Sequence, residues 1–457
     1  VSIRVRHAVV IGGGIAGLTA AYRLRQALGP EVDITVCEAS ASVGGKLRTL
    51  TMDSGPVDVG AEAFIRRRPE VLSLAGELGL SAELVTPSSV RPVIWADGSA
   101  HTLPPGAFMG IPASEASIKG LKGLVSPAAE RYAAGEAERP FTWEPGADLS
   151  LAELVRERFG EEVVRKSIDP LIAGVYAGDS STVGVRAAIP ELARALDSGA
   201  ATLTAAVRGA FTPTAGSGPV FATFRNGYQT LLNALARAAG AEVRLSASAR
   251  VLSRAGQRWR TDVASDADIV ILALPGHALA GLLSGHAPAA AAAAGEIRHA
   301  SSAVVTFSFG DDSVLPEWSG VLVAAGEKLD AKAVTLTSRK WPHQGGRGLL
   351  RVSLGRFGDD PPVTAFPDES LVRVARADLR VLTGIDVDPR AATVQRWPDG
   401  LPQYEPGHQR RVKAIEEGIL QLPGIGVAGG YLHGVGVPAC IASADAAVTK
   451  AIGDVAG

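Results

Sequence analysis

Residues 6–39, RHAVVIGGGIAGLTAAYRLRQALGPEVDITVCEA, decide how the rest of the chain is read. The apolar run 7–11 is long enough for a buried parallel strand. Gly12, Gly14 and Gly17 follow as G-x-G-x-x-G, and residues 15–28 carry apolar side chains at helical spacing. A second apolar run, 32–37, ends on Glu38, about twenty residues past Gly17. The pattern predicts one strand–helix–strand unit closed by an acid. Gly12 allows the tight turn, Gly14 lets a pyrophosphate approach the backbone, and Gly17 lets helix and strand pack closely. The helix start offers unpaired N–H groups and a partial positive charge to phosphates. Glu38 can accept hydrogen bonds from a ribose diol and would repel a 2′-phosphate, which disfavours NADP. Strand, glycines, helix, strand and acid in register separate this unit from a plain glycine-rich turn.

Composition bounds the class. A chain of 457 residues exceeds one core and divides into about two or three domains. With 46% hydrophobic and 20% charged residues it reads as an ordinary soluble globular protein. A net charge of −2 argues against nucleic acid, so an anionic ligand must be met by a local patch. Cys37 lies inside the second apolar run and Cys440 is distant, which fits a reduced, cytoplasmic setting and no disulfide framework. Arg4 and Arg6 precede an apolar stretch, but that stretch is the glycine-interrupted unit, not a signal peptide. Residues 268–283 are broken by Pro275 and His277 and are too short to span a bilayer, leaving at most a peripheral membrane contact. The eight histidines show no H-x-x-x-H pair, and no metal site is expected.

Beyond Glu38, VGGKLRT (43–49) sets a glycine pair close behind the first unit, and PVDVGAEAF (56–64) alternates like a strand that turns at Gly60. A helix is expected over 69–80, and a hairpin over 93–103 around Asp97-Gly98. Ser150 and Glu153 form a capping box before a helix whose face carries Leu151, Leu154, Val155 and Phe159. Residues 105–210 therefore read as an inserted helical domain. IDPLIAGVYAGDSSTVGV (168–185) is dense in glycine and small residues and is expected to be a loop between helices, close to a ligand or another element. A glycine turn then leads into a helix within 224–239, and strands over 242–251 and 267–274 return the chain to the nucleotide domain. Strands over 301–309, 320–323, 333–338 and 348–354 fit an antiparallel substrate sheet. Residues 424–452 read as strand, glycine loop and final helix.

G-x-G-x-x-G, the terminal acid and GG-K-L-R-T, taken with LPPGAFMGIP (103–112) and DPLIAGVYAGD (169–179), resemble the protoporphyrinogen and coproporphyrinogen oxidases of the amine oxidase flavoprotein superfamily. The resemblance covers nearly the whole chain and implies an α/β fold with FAD rather than a nicotinamide cofactor. A discontinuous Rossmann-like FAD-binding domain would comprise residues 1–90, 211–285 and 406–457. Substrate-domain strands would occupy 91–104, the inserted helical domain 105–210, and a mixed-sheet substrate domain 286–405. The implied cofactor contacts fall on Gly12, Gly13, Gly14, Ile15, Ala16 and Gly17, on Glu38 and Ala39, and on Gly45 and Lys46. The backbone of Gly60, Ala61, Glu62 and Ala63 would pass along the flavin, and that of Val251 would meet the adenine. Trp397 and the loop of Val435, Gly436 and Val437 would complete the flavin's surroundings, near the first glycine turn. Lys46 stands where arginine is common, and loop 60–63 reads GAEA where relatives vary.

The same resemblance implies a six-electron oxidation of a porphyrinogen in heme biosynthesis, with oxygen reduced to hydrogen peroxide. That chemistry belongs to the cofactor. The protein must hold a meso carbon against the flavin, orient the carboxylates and admit oxygen, so no catalytic side chain is required. Coproporphyrinogen III carries four propionates and protoporphyrinogen IX two, so the former calls for a site richer in Lys and Arg. Arg66, Arg67, Arg68, Lys119, Lys122, Arg339 and Lys340 are the cationic candidates, with Arg66 named for the substrate. The YAGDS form at 176–180 is similar to the Gram-positive branch, which uses coproporphyrinogen III. Leu322 and Trp341 match positions over the pyrroles, and the backbones of Gly174 and Gly178 are candidates to accept pyrrole N–H bonds. A heme-pathway enzyme could receive the product. An amine oxidase would carry a G-E-x-T run and a tyrosine pair where this chain has AGGYLHGVGVPACI (428–441). A flavin-free escort protein would need neither Glu38 nor the glycine pair.

Overall fold

The computed structural model describes residues 5–211 and 218–456. Short strands form a parallel sheet in the order Glu242–Arg244, Asp33–Cys37, His7–Ile11, Ile269–Leu272 and Ile425–Val427. Its central strands are buried on both faces, with Val9, Val10, Val36, Val270 and Ile271 fully enclosed. Ile11 is level with Cys37 and Leu272, and Leu272 with Val427, so the carboxyl ends share one edge. In open α/β sheets the ligand crevice lies off that edge. Helices Ile15–Leu28, Gln229–Ala239 and Val437–Ala456 pack on one face, and Gly276–Leu283, Pro288–Gly295 and His408–Leu420 on the other. The strand order thus brings the beginning, middle and end of the chain side by side. The strand expected over 242–251 is shorter. Ser246 takes φ 53°, the chain turns, and the N–H groups of Ser246 and Ala247 donate to the carbonyls of Ser40 and Glu38.

A seven-stranded sheet runs Ala391–Pro402, His299–Ser308, Leu349–Leu354, Ala331–Thr335, Gly320–Val323, Val93–Ala96, Ser99–Thr102. All neighbours are antiparallel except Gly320–Val323 beside Val93–Ala96. Asp97 and Gly98 both take positive φ, the requirement of a two-residue hairpin turn. Alternation assigns the faces. Val305, Phe307, Val334, Leu350 and Val352 bury against Leu371, Ala375 and Leu379 of helix Asp368–Thr383. Ile94 and Leu322 point the other way, into the helical layer.

In that layer the Ser150 hydroxyl accepts from the Glu153 N–H while the Glu153 carboxylate accepts from the Ser150 N–H, the reciprocal capping box. Leu151, Leu154, Val155 and Phe159 are all buried. The segment read as a loop is half helix: Asp169–Tyr176 is helical and ends at Ala177 with φ 54°. Asp169 and Pro170 follow directly on the π-helical turn Val164–Ile168, and Ile172, Ala173 and Tyr176 face inward. Tertiary burial of that face outweighs the low helix propensity of Gly174.

Candidate cofactor and substrate site

The first turn is built by close approach. A Cβ on Gly12 would overlap the Ala273 carbonyl, and one on Gly17 would overlap the carbonyl of Gly12. Gly14 differs: the nearest atom to a Cβ there is the Gly45 Cα at 3.9 Å, so a methyl would meet no clash. The second glycine pair docks on the first turn through Gly44 N–H donating to the Gly13 carbonyl at 2.8 Å. Glu38 closes the opposite side, its carboxylate accepting from Gly13 N–H at 2.7 Å and Ser40 N–H at 2.8 Å. Each oxygen keeps a free lone pair for a ribose hydroxyl. Val251, expected to meet the adenine through its backbone, lies in an exposed segment held by Asp262, to which its N–H donates at 3.2 Å.

Loop 60–63 is held from three sides. A Cβ on Gly60 would overlap the Lys46 carbonyl and lie 3.1 Å from the Trp397 ring. The Trp397 indole donates to the Val59 carbonyl at 3.2 Å, and Arg351 Nη2 donates to the Gly60 carbonyl at 2.7 Å. Glu62 pairs with Lys340 at 2.6 Å and faces Arg351 at 3.8 Å. Burial pushes the Glu62 carboxyl up, but the Lys340 and Arg351 cations outweigh it and hold it below the ordinary range. Just before the loop, burial raises the Asp58 carboxyl to about 6 although Thr49 Oγ1 and the Tyr228 N–H donate to it.

The C-terminal stretch arrives on the same edge. Ala428 N–H donates to the Leu272 carbonyl at 3.1 Å, and Tyr404 Oη donates to Gly430 at 2.7 Å. Val437 opens the final helix within the core that holds Ile15, while Val435 packs against the helical layer. Lys46 is open to solvent yet has protein close around it. Burial lowers its ammonium pKa, and the nearby Cys440 thiol opposes that. Burial pushes Cys440 up to about 11, with Lys46 acting against it. Each group feels the other, so the glycine-pair loop lies near the first turn of the last helix.

The profile of the flavin containing amine oxidoreductases matches residues 15–452. The chain belongs to that family. It is 46% identical to the coproporphyrinogen III oxidase of Mycobacterium tuberculosis over 98% of this chain and 97% of that one. With the coproporphyrinogen III oxidase of Bacillus subtilis it shares 31%, covering 98% of each. A crystal structure from Exiguobacterium sp. 255-15, provisionally named a protoporphyrinogen oxidase, superposes with TM-score 0.87 at 30% identity, covering 98% of each chain. Cyclohexylamine oxidase of Brevibacterium oxydans IH-35A, at 18% identity and TM-score 0.67 over 99% of each chain, shares the fold alone.

The residues present fit the FAD of this flavoprotein family. The first turn leaves room at Gly14, an acid stands at the end of the second strand, and a helix start and the Lys46 cation flank the carboxyl edge. When bound, FAD supplies two-electron oxidation. Arg351 was not singled out from sequence, although a lone arginine in the apolar strand LLRVSL was a signal for it. Tyr404, enclosed at 1% exposure and tying the helical layer to Gly430, carried no local signal.

On the expected substrate side, Gly174 and Leu322 come together: a Cβ on Gly174 would stand 4.0 Å from Leu322 Cδ2. Gly178 packs instead against Gln403. The DPLIAGVYAGD signature has an architectural role as well, because the Asp169 carboxylate accepts from both the N–H and the hydroxyl of Ser180. Trp341 is 1% exposed beside Glu62, Thr337 and His343, enclosed rather than presented to a macrocycle. Most cationic candidates are engaged. Arg68 pairs with Glu70, Lys119 with Glu115 and Lys340 with Glu62. Arg339 donates to the carbonyls of Asp312, Leu315 and Pro316, and Arg66 to that of Pro219. Arg67 lies over the stacked rings of Phe108 and Phe211 and has no carboxylate partner among the described residues.

Proposed function

We propose that this flavoprotein oxidises coproporphyrinogen III to coproporphyrin III with oxygen, in the cytoplasm, as a step of heme biosynthesis. Six electrons and six hydrogens leave the porphyrinogen in three rounds and appear in three molecules of hydrogen peroxide. The chain's own part is binding and orientation. Gly12, Gly13, Gly14, Ile15, Ala16 and Gly17, with Glu38 and Ala39, anchor the nucleotide, and Gly45 and Lys46 line the cleft beside it. Arg351 and Trp397 brace loop 60–63 along the flavin, while loop 435–437 and the helix beginning at Val437 (Val435, Gly436, Val437) meet the ring from the other end. Gly174 and Leu322, where sheet and helical layer meet, provide a narrow apolar wall for the macrocycle. Arg67 is the candidate for a propionate.

The observation that carries this reading is the 46% full-length identity to mycobacterial coproporphyrinogen III oxidases, against 26% to the chloroplast protoporphyrinogen oxidase of rice. An aerobic assay comparing both porphyrinogens by product fluorescence, with peroxide and bound FAD quantified in the same sample, tests it. Faster turnover of the four-carboxylate substrate with three peroxides per porphyrin is expected. Preference for protoporphyrinogen IX would overturn the substrate, and a colourless protein that takes up no FAD would overturn the reaction.

A further inference from the structure

Beside loop 60–63 the protein encloses a small cavity bordered by Glu62, Thr223, Thr337, Trp341 and His343. Thr223, Thr337 and Trp341 are 4%, 3% and 1% exposed. Among the described residues, Thr223 Oγ1, Thr337 Oγ1, Trp341 Nε1, His343 Nδ1 and Glu62 Oε1 all lack a hydrogen-bond partner. Buried polar atoms are almost always paired, so five orphans on one cavity point to a missing partner shared among them.

Size and charge select the bridge. The cavity admits the centre of a water-sized sphere over about 20 Å³, where roughly 10–15 Å³ holds one water. The carboxylates of Glu62 and Asp58 disfavour an anion. The Trp341 N–H, and a Glu62 already matched by Lys340 and Arg351, disfavour a cation. His343 is neutral near pH 7, because burial and the nearby Arg225 and Arg347 lower it to about 4. A neutral molecule that both donates and accepts fits every wall.

We propose that this cavity is a built water site, in which one ordered water bridges Trp341 Nε1 and the Thr337 and Thr223 hydroxyls to Glu62 Oε1. Lys340 holds one oxygen of Glu62 and the water holds the other, so Thr337 and Thr223 are positioning residues for loop 60–63. The functional part of this inference rests on reading that loop as the flavin-facing segment.

The test is a crystal structure of the FAD-loaded protein that resolves waters, together with the FAD release rate, for wild type, Thr337→Val and Thr337→Ser. One water within hydrogen-bonding distance of Trp341 Nε1 and Glu62 Oε1 is expected in wild type and absent in the valine variant. Thr337→Val should release FAD about fivefold faster, and Thr337→Ser should restore the rate. If Thr337→Val does not fold, Thr223→Val serves in its place. A dry wild-type cavity, or FAD release unchanged by the valine variant, overturns the proposal. Turnover of coproporphyrinogen III by the same wild-type sample separates the two readings. A dry cavity in an active enzyme sinks this inference alone, and an occupied cavity in an inactive one sinks the function alone.

Discussion

The Arg158 guanidinium meets the Glu136 carboxylate at 3.1 Å inside the helical layer, with both side chains 1% exposed. Glu136 also accepts from the Leu203 N–H at 2.9 Å. Arg158 donates to the carbonyls of Glu136, Arg139 and Pro140 and lies 4.8 Å from the Phe141 ring centre. The pair ties helix Leu151–Phe159 to the start of helix Leu203–Ala210, and so holds the layer that receives Leu322 and Val435. Arg158→Met leaves a buried charge unmatched and should cost about 3–5 kcal/mol. Urea unfolding measures it, and a loss below about 1 kcal/mol would show the pair to be dispensable.

Glu38→Ala removes the acceptor for two backbone N–H groups together with the ribose partner. FAD binding to the apoprotein should weaken by about 1.5–3 kcal/mol, roughly 10–150-fold in Kd. Titration calorimetry decides it, and an unchanged Kd would move the ribose elsewhere.

Gly14 and Gly17 should respond differently to alanine. At Gly17 the new methyl overlaps the Gly12 carbonyl, so the apoprotein itself should lose about 1–3 kcal/mol. At Gly14 the methyl meets no clash, so the apoprotein should melt as wild type while FAD uptake falls. Thermal melts with and without FAD separate the two, and equal destabilisation of both apoproteins would remove the room at Gly14.

Asp58 should impose a pH dependence on stability. Its folded pKa, about 6, lies above the ordinary carboxyl value, so the folded state keeps a proton that the unfolded chain has released. This contribution is present in full below about pH 4 and is lost as pH rises to about 6, a change on the order of 3 kcal/mol. Asp58→Asn should flatten that part of the profile in denaturant titrations at successive pH values. A variant that keeps the slope would assign it to another group.

Arg67 and Arg68 offer a paired comparison, since Arg68 is held by Glu70 and Arg67 by no carboxylate among the described residues. Arg67→Ala should raise KM for the four-carboxylate substrate more than for the two-carboxylate one, and Arg68→Ala should change the two alike. Parallel effects from Arg67→Ala would leave it a surface residue.

Features settled within a few residues were legible. The Asp97-Gly98 hairpin and the Ser150 capping box depend on hydrogen bonds that close locally, and the glycine unit shows as spacing within one strand–helix–strand stretch. Where the local cue was ambiguous, tertiary packing decided. Glycines and small side chains in 169–176 signal backbone freedom, yet burial of Ile172, Ala173 and Tyr176 holds that segment helical. No local feature marked Ser246 as the turn that cuts the 242–251 strand short. Trp341 could not be placed on a substrate wall or behind Glu62 by its identity alone, because an indole suits either.

The sequence by itself determined the nucleotide-binding unit, the reach of the flavoprotein resemblance and the class of cofactor, since these follow from spacing along one strand and one helix. Only the tertiary structure decided what braces loop 60–63 and which cations are already spent. Arg351 reaches Gly60 across 291 residues, and Lys340 reaches Glu62 across 278. Contacts of that range follow from strand order and register, which no local pattern encodes.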